Sequence, residues 1–419
     1  MTSPHSRTDI AVVGAGAVGT CTALALQEKG FNVSLFERLV TGTEMTSYGN
    51  AGVITHSSVI PLNVSNLWRK LPRLAASLDP GLRIALGYLP SAAPWLTRFV
   101  RGCNPDSVAT RALALERLIA PALGAHRRLS RAAGCESRLH HSGWLKLYRR
   151  EASHRAAAGE RRLWDSLGVE HRELEGRALE EYLDQGAKVY ARGTLIPNTS
   201  YVDDPGALIG AYRRMFVQRG GRLEELAAPA LVPTASGFRI AGCPRDFAQA
   251  IVCAGPWSLD LLAPLGYRLP MISERGYHQE FLEARPGSVR APFHDVEAAF
   301  VCTPMAGRLR ILSGIELDAR DRPPTPHQLT RLLPRAREAV ALGDAQGAPW
   351  LGRRPSLPDG MPVLGAAPRH PGLWFGFGHG HIGLSTSAIS GEWLAEMVCA
   401  GRELDAYRAF SPRRFLAAR

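Results

Sequence analysis

The sequence predicts an α/β protein in which a parallel-sheet domain is interleaved with a second, α+β domain built on an antiparallel sheet. Three observations predict it. A strand, glycine turn, helix and second strand follow one another from Asp9 to Arg38; α/β patterning returns at 205–258 and again after 350; and alternating strand-like segments fill the stretches between. At 419 residues the chain exceeds what one simple core organises, so two domains are the natural reading. The expected division gives 1–60, 198–262 and 346–419 to the first domain and 61–197 and 263–345 to the second.

The opening unit reads as apolar strand (IAVV), glycine turn (GAGAVG), apolar helix (TCTALALQEKG) and strand (NVSLFE). Residues 62–135 are rich in Leu, Ala and Arg at helical spacings broken by Pro72, Pro80, Pro90, Pro94 and Pro121, which predicts several short helices. Gly143–Arg150 alternates like a strand, and a helix with acidic and basic faces follows to about Gly168. Pro205 opens a helix that a glycine pair ends. The segment 248–258, AQAIVCAGPWS, reads as a buried strand entering a turn. Strands are expected in YHQEFLE, AFVCT and RLRILSGIE, and residues 350–398 as a glycine-rich loop, the strand GLWFGFG and a final helix.

Composition excludes several classes. Hydrophobic residues make up 45% and charged residues 21%, the balance of a soluble globular chain. The net charge of +12 is carried almost wholly by scattered arginines, with lysine only at 29, 70, 146 and 188, and there is no dense basic run with interleaved aromatics, so nucleic acid is not an expected partner. Seven cysteines without a CxxC pair read as reduced core residues. Met1 to Thr8 is short and polar, and the apolar stretch Ile10 to Leu26 is too glycine-rich and too regularly strand-turn-helix for a signal peptide, so a cytoplasmic location is expected.

Gly14, Gly16 and Gly19 form GxGxxG between a strand and a helix. The first permits the tight turn, the second lets a pyrophosphate approach the backbone, and the third lets helix and strand pack closely, so a Rossmann-like dinucleotide site is expected over Gly14, Ala15, Gly16, Ala17, Val18 and Gly19. Glu37, followed by Arg38, ends the second strand where a carboxylate accepts hydrogen bonds from a ribose. Ser47, Asn50, Ala51 and Gly52 in TSYGNAG, and Ala254, Gly255 and Trp257 in AGPWS, are further candidates. So are Arg353 and the loop residues Gly378, His379, Gly380, Ile382, Gly383 and Leu384, where a glycine-rich turn opens into a helix whose N–H groups favour negative charge.

Taken together, the fingerprint, the NAG segment, AGxWS, ERGYH at 274–278, RLRILSGIE, RPSLPDGMPVLG and GHGHIG stand in one order along nearly the whole chain. In that set the sequence resembles the D-amino-acid dehydrogenase and glycine/D-amino-acid oxidase superfamily of FAD proteins, its hydroxy-D-proline dehydrogenase-like branch most of all. The resemblance implies FAD, a sheet domain roofing the flavin, and oxidation of a D-amino acid to an imino acid, with D-proline or cis-4-hydroxy-D-proline as first substrates. Members with covalent flavin carry a cysteine near Arg353; this chain has none there, which implies non-covalent FAD.

Orientation is the main catalytic demand in such a reaction, and an arginine fork is the preferred carboxylate anchor. Alternation puts Arg308 and Arg310 on one strand face, with Arg310 the first choice. It also puts Arg275 and Tyr277 on one face of ERGYH and His278 on the other. The resemblance implies a substrate role for Tyr277, with His278 and His381 as further candidates. His379 and His381 form HxH without a third ligand at a recognised spacing, so no metal is expected. Dehydrogenases that this chain resembles pass electrons to a membrane quinone pool, and residues 82–101 combine aromatics, leucines and arginines as a peripheral membrane contact would; two prolines break any long helix there, and packing against the second domain is the commoner explanation of such a segment. The alternatives left open are an oxygen-using amine, glycine or opine oxidase and the flavin subunit of a multi-subunit oxidase, with partner subunits.

Overall fold

The computed structural model describes residues 8–39, 42–61 and 81–415. The expected helices within 62–80 therefore lie outside the described residues. The elements that carry the argument are, in chain order, β1 (Asp9–Val13), α1 (Ala17–Glu28), β2 (Asn32–Glu37), α2 (Leu89–Arg101), β3 (Trp144–Tyr148), α3 (Pro205–Gln218), β4 (Arg222–Glu225) and β5 (Gln249–Val252). They continue with β6 (Ile272–Glu283), β7 (Phe293–Asp295), β8 (Phe300–Met305), β9 (Arg308–Leu312), α4 (His327–Ala339), β10 (Leu342–Ser356), β11 (Val363–Ala366), β12 (Leu373–Phe377) and α5 (Ser387–Ala400).

The first sheet has the order β4-β2-β1-β5-β12-β11, parallel except for β11. Alternation along β1 sends Ile10 and Val12 into a core with α1 and α5, and Ala11 and Val13 into a second core on the other face. There they meet Phe238, Ile240 and Phe247 of a small three-stranded sheet. The helix α1 is buried on nearly every side because it lies between the sheet and α5. Gly391 makes this crossing: a Cβ there would stand 2.6 Å from the backbone carbon of Cys21. α3 begins as its sequence predicts, with Pro205 in the first turn and the Asp204 carboxylate accepting from the Ala207 N–H at 2.9 Å.

The second sheet is mostly antiparallel, and its centre runs β10-β6-β9-β8-β7-β3, with β7 and β3 parallel. Its inner face packs Leu145, Phe281, Phe293, Leu309 and Ile311 against α4 through Leu329, Leu332 and Ala336. Residues 350–356, expected in a loop, instead end the fifteen-residue strand β10. Two register shifts against β6 let this strand curve. Glycines make room for its tryptophan: a Cβ on Gly49 or Gly352 would stand 2.2 or 2.5 Å from the Trp350 ring. The strand also runs across residue 346, where a domain limit is expected from the sequence. The helix expected from 151 to 168 is two helices, Glu151–Ala156 and Ala158–Ser166.

α2 packs Trp95 against Ile272 and Leu317, and the Trp95 ring N–H donates to the Ser356 carbonyl at 3.0 Å. The segment that reads as interfacial is thus tied inward, while Leu86, Leu89 and Val100 stay exposed. Among the described residues, no helix is long and apolar enough to cross a membrane.

The α1–α5 crossing leaves no space for a side chain. Gly391→Ala is expected to lower stability by about 1–3 kcal/mol through overpacking, read as a fall in the urea midpoint at unchanged m-value.

Candidate active site

The carboxyl ends of β1, β5 and β12 open onto a cleft of about 360 Å³. Its three fingerprint glycines have separable reasons. A Cβ on Gly14 (φ +104°) would meet the Cys253 carbonyl oxygen at 2.5 Å, and one on Gly19 would meet the Gly14 carbonyl oxygen at 1.8 Å, so both are required by packing. Gly16 lines the cleft and has nothing within 4 Å of where its Cβ would stand. The fold does not require a glycine there, whereas a pyrophosphate resting on the backbone at the start of α1 does. The cleft therefore fits a dinucleotide.

Around it stand Ala17, Val18, Glu37, Arg38, Ser47 and Asn50, then Ala254, Gly255 and Trp257, and from the last loop Gly378, His379, Gly380 and Gly383. The Glu37 carboxylate accepts the Ala15 N–H at 2.8 Å and the Arg38 N–H at 2.7 Å, which ties β2 to the glycine turn. Arg38 lies 4.6 Å over the Trp257 ring. Seven expected cofactor residues do not line this cleft, the first being Ala15, whose N–H is taken by Glu37. Gly19 is a packing residue. Gly52 (φ +76°) turns the chain against the Val202 carbonyl. Ile382 and Leu384 are buried in the core. Arg353 donates from Nε to the Arg320 carbonyl at 2.8 Å. Ala51 lines a different cavity.

That cavity, of about 500 Å³, meets the cleft at Thr46 and Asn50, which line both. Its wall is one face of the second sheet, where the ladder aligns Lys146, His294, Val301, Leu312 and, across β6, Trp350. The next places on that face pair Gly276 with Gly352 and Glu274 with Arg354. Gly276 explains the arginine's position: a Cβ there would stand 2.7 Å from Arg354 Nη2, so the guanidinium lies against bare backbone. Among the described residues no carboxylate comes within ion-pairing distance of Arg354, although Glu274 acts on it through space. His381 lines the same cavity, whereas His379 lines the cleft and shares a hydrogen bond between Nε2 and the Ser390 hydroxyl at 3.0 Å. The two histidines of HxH are thus divided between two spaces.

The arginines and tyrosine expected to hold the substrate are otherwise engaged. Arg308 and Arg310 lie on the correct face but further along, where Glu280 takes both, at 2.7 and 2.6 Å. Arg310 Nη1 also donates to the Asn50 carbonyl at 2.6 Å, so it braces the NAG segment rather than facing the cavity. The Tyr277 side chain belongs to the opposite, inner face of the sheet. Its hydroxyl donates to Glu316 at 2.7 Å and accepts from Arg275 at 2.9 Å and from the Thr325 N–H at 2.9 Å, leaving it no lone position for a substrate. His278 lies behind Trp350, its ring stacked at 4.9 Å and Nδ1 3.1 Å from the Gly49 carbonyl. Arg354 and Glu274 are what sequence reasoning missed. The signal was present in the Arg353-Arg354 pair: once the segment is a strand, its two arginines must face opposite ways.

Comparison with known proteins agrees with this geometry. Residues 9–397 match the model of the DAO family, described as FAD dependent oxidoreductase. A protein named D-amino-acid oxidase from Bradyrhizobium diazoefficiens is 29% identical over 97% of this chain and 99% of its own length. One named D-amino acid dehydrogenase 2 from Ralstonia nicotianae is 30% identical over 93% and 96%. Among solved structures, glycine oxidase from Geobacillus kaustophilus superposes with a TM-score of 0.74 over 99% of both chains at 21% identity.

Two outcomes are expected. Gly276→Ala displaces only the end of a flexible side chain, so the urea midpoint should hardly change while KM for the substrate rises at least tenfold. Secondly, burial pushes His278 and His379 down to about 3 and His126 to about 4, so each is neutral in the fold. The unfolded chain binds protons near pH 6.5 and the fold does not, so their contribution is complete above that pH and is lost as pH falls towards their folded values. Each histidine should lower stability by up to about 1.4 kcal/mol per pH unit below 6.5, read from urea midpoints between about pH 7.5 and 5.5.

Proposed function

The chain belongs to the FAD-dependent oxidoreductases, and from that premise we propose that it oxidises a D-amino acid at its α-carbon to the imino acid, which water converts to the keto acid. The observation that carries the reading is Arg354, an arginine without a carboxylate partner among the described residues, in a cavity that opens into the dinucleotide cleft. FAD, when bound, supplies the acceptor for two electrons and the α-hydrogen. Gly14 to Val18 and the Gly378–Gly383 loop hold it non-covalently. Arg354 grips the substrate carboxylate with its planar fork and so fixes which bond of the α-carbon faces the cofactor. Arg310 keeps Asn50 at the junction of the two spaces. Trp350, Trp144 and Trp164 give the cavity apolar wall and exclude water.

The D configuration is supported by the names of relatives aligned along nearly the whole chain. Among D-amino acids, D-proline and cis-4-hydroxy-D-proline are proposed first, on the ERGYH and TPMAGRLR segments. We propose a non-oxygen acceptor such as a quinone, reached through peripheral contact of the Leu86, Leu89 and Val100 surface beside Arg98 and Arg101. Oxygen is the second reading, favoured by the Bradyrhizobium relative named an oxidase.

Anaerobic titration of the holoprotein with these D-amino acids and their L forms should bleach the oxidised-flavin band with a D form and not with its L form. Flavin that no amino acid bleaches would sink the substrate assignment. Slow return of colour in air marks a dehydrogenase, rapid return an oxidase. Arg354→Met should keep flavin and lower kcat/KM by more than about a hundredfold, the scale of removing one partner of a buried charged pair.

A further inference from the structure

Two carboxylates line the cavity, and they differ in one respect. Glu160 is held by Lys146, whose Nζ lies 2.6 and 2.5 Å from its two oxygens. Glu274 is only 2% exposed, yet its Oε2 has no hydrogen-bond partner. The same holds for the hydroxyl of Ser356, two residues from Arg354 on the same face of β10. Leaving a buried polar atom unpaired costs about 1–3 kcal/mol, and more for a charged group, so folded proteins retain such atoms where a ligand completes them. Here the uncompleted atoms lie on the strand pair that carries Arg354. A cation-reaching carboxylate beside a carboxylate-reaching guanidinium is the complement of one zwitterion.

Resting on the amino-acid reading, we infer that Glu274 receives the substrate's amino group and accepts the proton of its ammonium. The nitrogen then enters the reaction neutral. The carboxylate gains the proton and the nitrogen regains its lone pair. The α C–H bond then breaks with its hydrogen and both electrons passing to oxidised FAD, while the lone pair forms the C=N bond of the iminium product. The balance needs no other reactant.

The groups around Glu274 favour this. Burial raises its affinity for a proton, while the charge of Arg354 opposes that rise. On its other side the cross-strand neighbour is Leu317, and the remaining titratable groups among the cavity's residues are His381, His294, the Lys146–Glu160 pair and Tyr277, whose hydroxyl is turned to Glu316 on the inner face. When a substrate carboxylate offsets the charge of Arg354, the chief group holding Glu274 ionised is neutralised. Glu274 thus becomes the stronger base once the ammonium lies beside it.

The test is the pH dependence of kcat/KM in the holoenzyme. In the wild type the low-pH limb should lie below the ammonium pKa of the free amino acid. In Glu274→Gln it should move up to that pKa, so that kcat/KM falls about tenfold per pH unit beneath it, and Glu274→Asp should restore the wild-type limb. Propanoate, which has no amine, should still perturb the flavin band of Glu274→Gln, at least as tightly as in the wild type because the carboxylate that repels it is gone, and not that of Arg354→Met. Coincident limbs in wild type and Glu274→Gln overturn the role of Glu274. Propanoate binding that survives in Arg354→Met overturns the amino-acid anchor instead. Should Glu274→Gln fail to retain flavin, two accepted amino acids of different ammonium acidity, such as alanine and asparagine, decide the matter in the wild type. A limb that follows the substrate overturns the proposal; one that stays fixed supports it.

Discussion

The structure depends on a place where three elements touch through bare backbone. β1, α1 and β5 converge at Gly14 and Gly19 with no Cβ between them, since one on Gly19 would stand 1.8 Å from the Gly14 carbonyl and one on Gly14 2.5 Å from that of Cys253. This approach sets the start of α1 beside the carboxyl ends of the strands, where the orphan N–H groups of the helix face the cleft. The crossing at Gly391 then lays α5 along α1, which brings the loop before α5 to the same end of the sheet. That loop is bridged to the second sheet, with His379 pairing with Ser356 at the end of β10. Arg354 lies two residues before this bridge. The position of a side chain in the second cavity is therefore referred, through one strand, to the glycine contacts that form the first.

The two faces of β6 show what the fold completes by itself and what it leaves for a ligand. On the inner face Arg275 is wholly buried, but Glu316 lies 3.0 Å from it and its guanidinium also donates to the Tyr277 hydroxyl and to the Ala319 and Pro323 carbonyls. Removing Glu316 would strand a buried charge, so that network serves the sheet. On the outer face, one residue away, Glu274 and its cross-strand partner Arg354 have no such company. The contrast within a single strand separates structure from chemistry more sharply than residue type does, because Arg275 and Arg354 are the same amino acid in opposite circumstances.

This also explains what the sequence could convey. The glycine turn, the acidic end of β2 and the strand entering AGPWS are local: each spacing fixes a backbone shape within a few residues, and each lines the cleft. The substrate side needs information that alternation cannot carry. Period two correctly sets Arg275 and Tyr277 apart from His278, yet it cannot say which face looks into the cavity, and the inner face holds Tyr277. It also sets Arg308 and Arg310 on the right face without saying how far along the strand the cavity lies; Glu280, their cross-strand neighbour, claims both. Arg354 was hidden because its segment, with glycines before it and Pro355 after it, reads as a loop. Only pairing with β6 gives it a face, and only Gly276, diagonal to it across the strand pair, gives its guanidinium room.

The charge arrangement of the cavity has a consequence for what enters it. Lys146 and Glu160 neutralise each other, and Lys146 also lies 5.3 Å over the Trp164 ring, so this pair adds a polar surface but no net pole. The poles that remain are Arg354 and Glu274, opposite in sign and adjacent in register. An anion without an amine would satisfy the arginine and leave the buried carboxylate beside it repelled. A cation without a carboxylate would do the reverse. A zwitterion meets both poles and brings no net charge into a low-dielectric space, which avoids the desolvation cost that excludes a lone ion. Selection for an α-amino acid over a simple acid or amine can thus arise from one cross-strand pair, before any contact with the side chain is made.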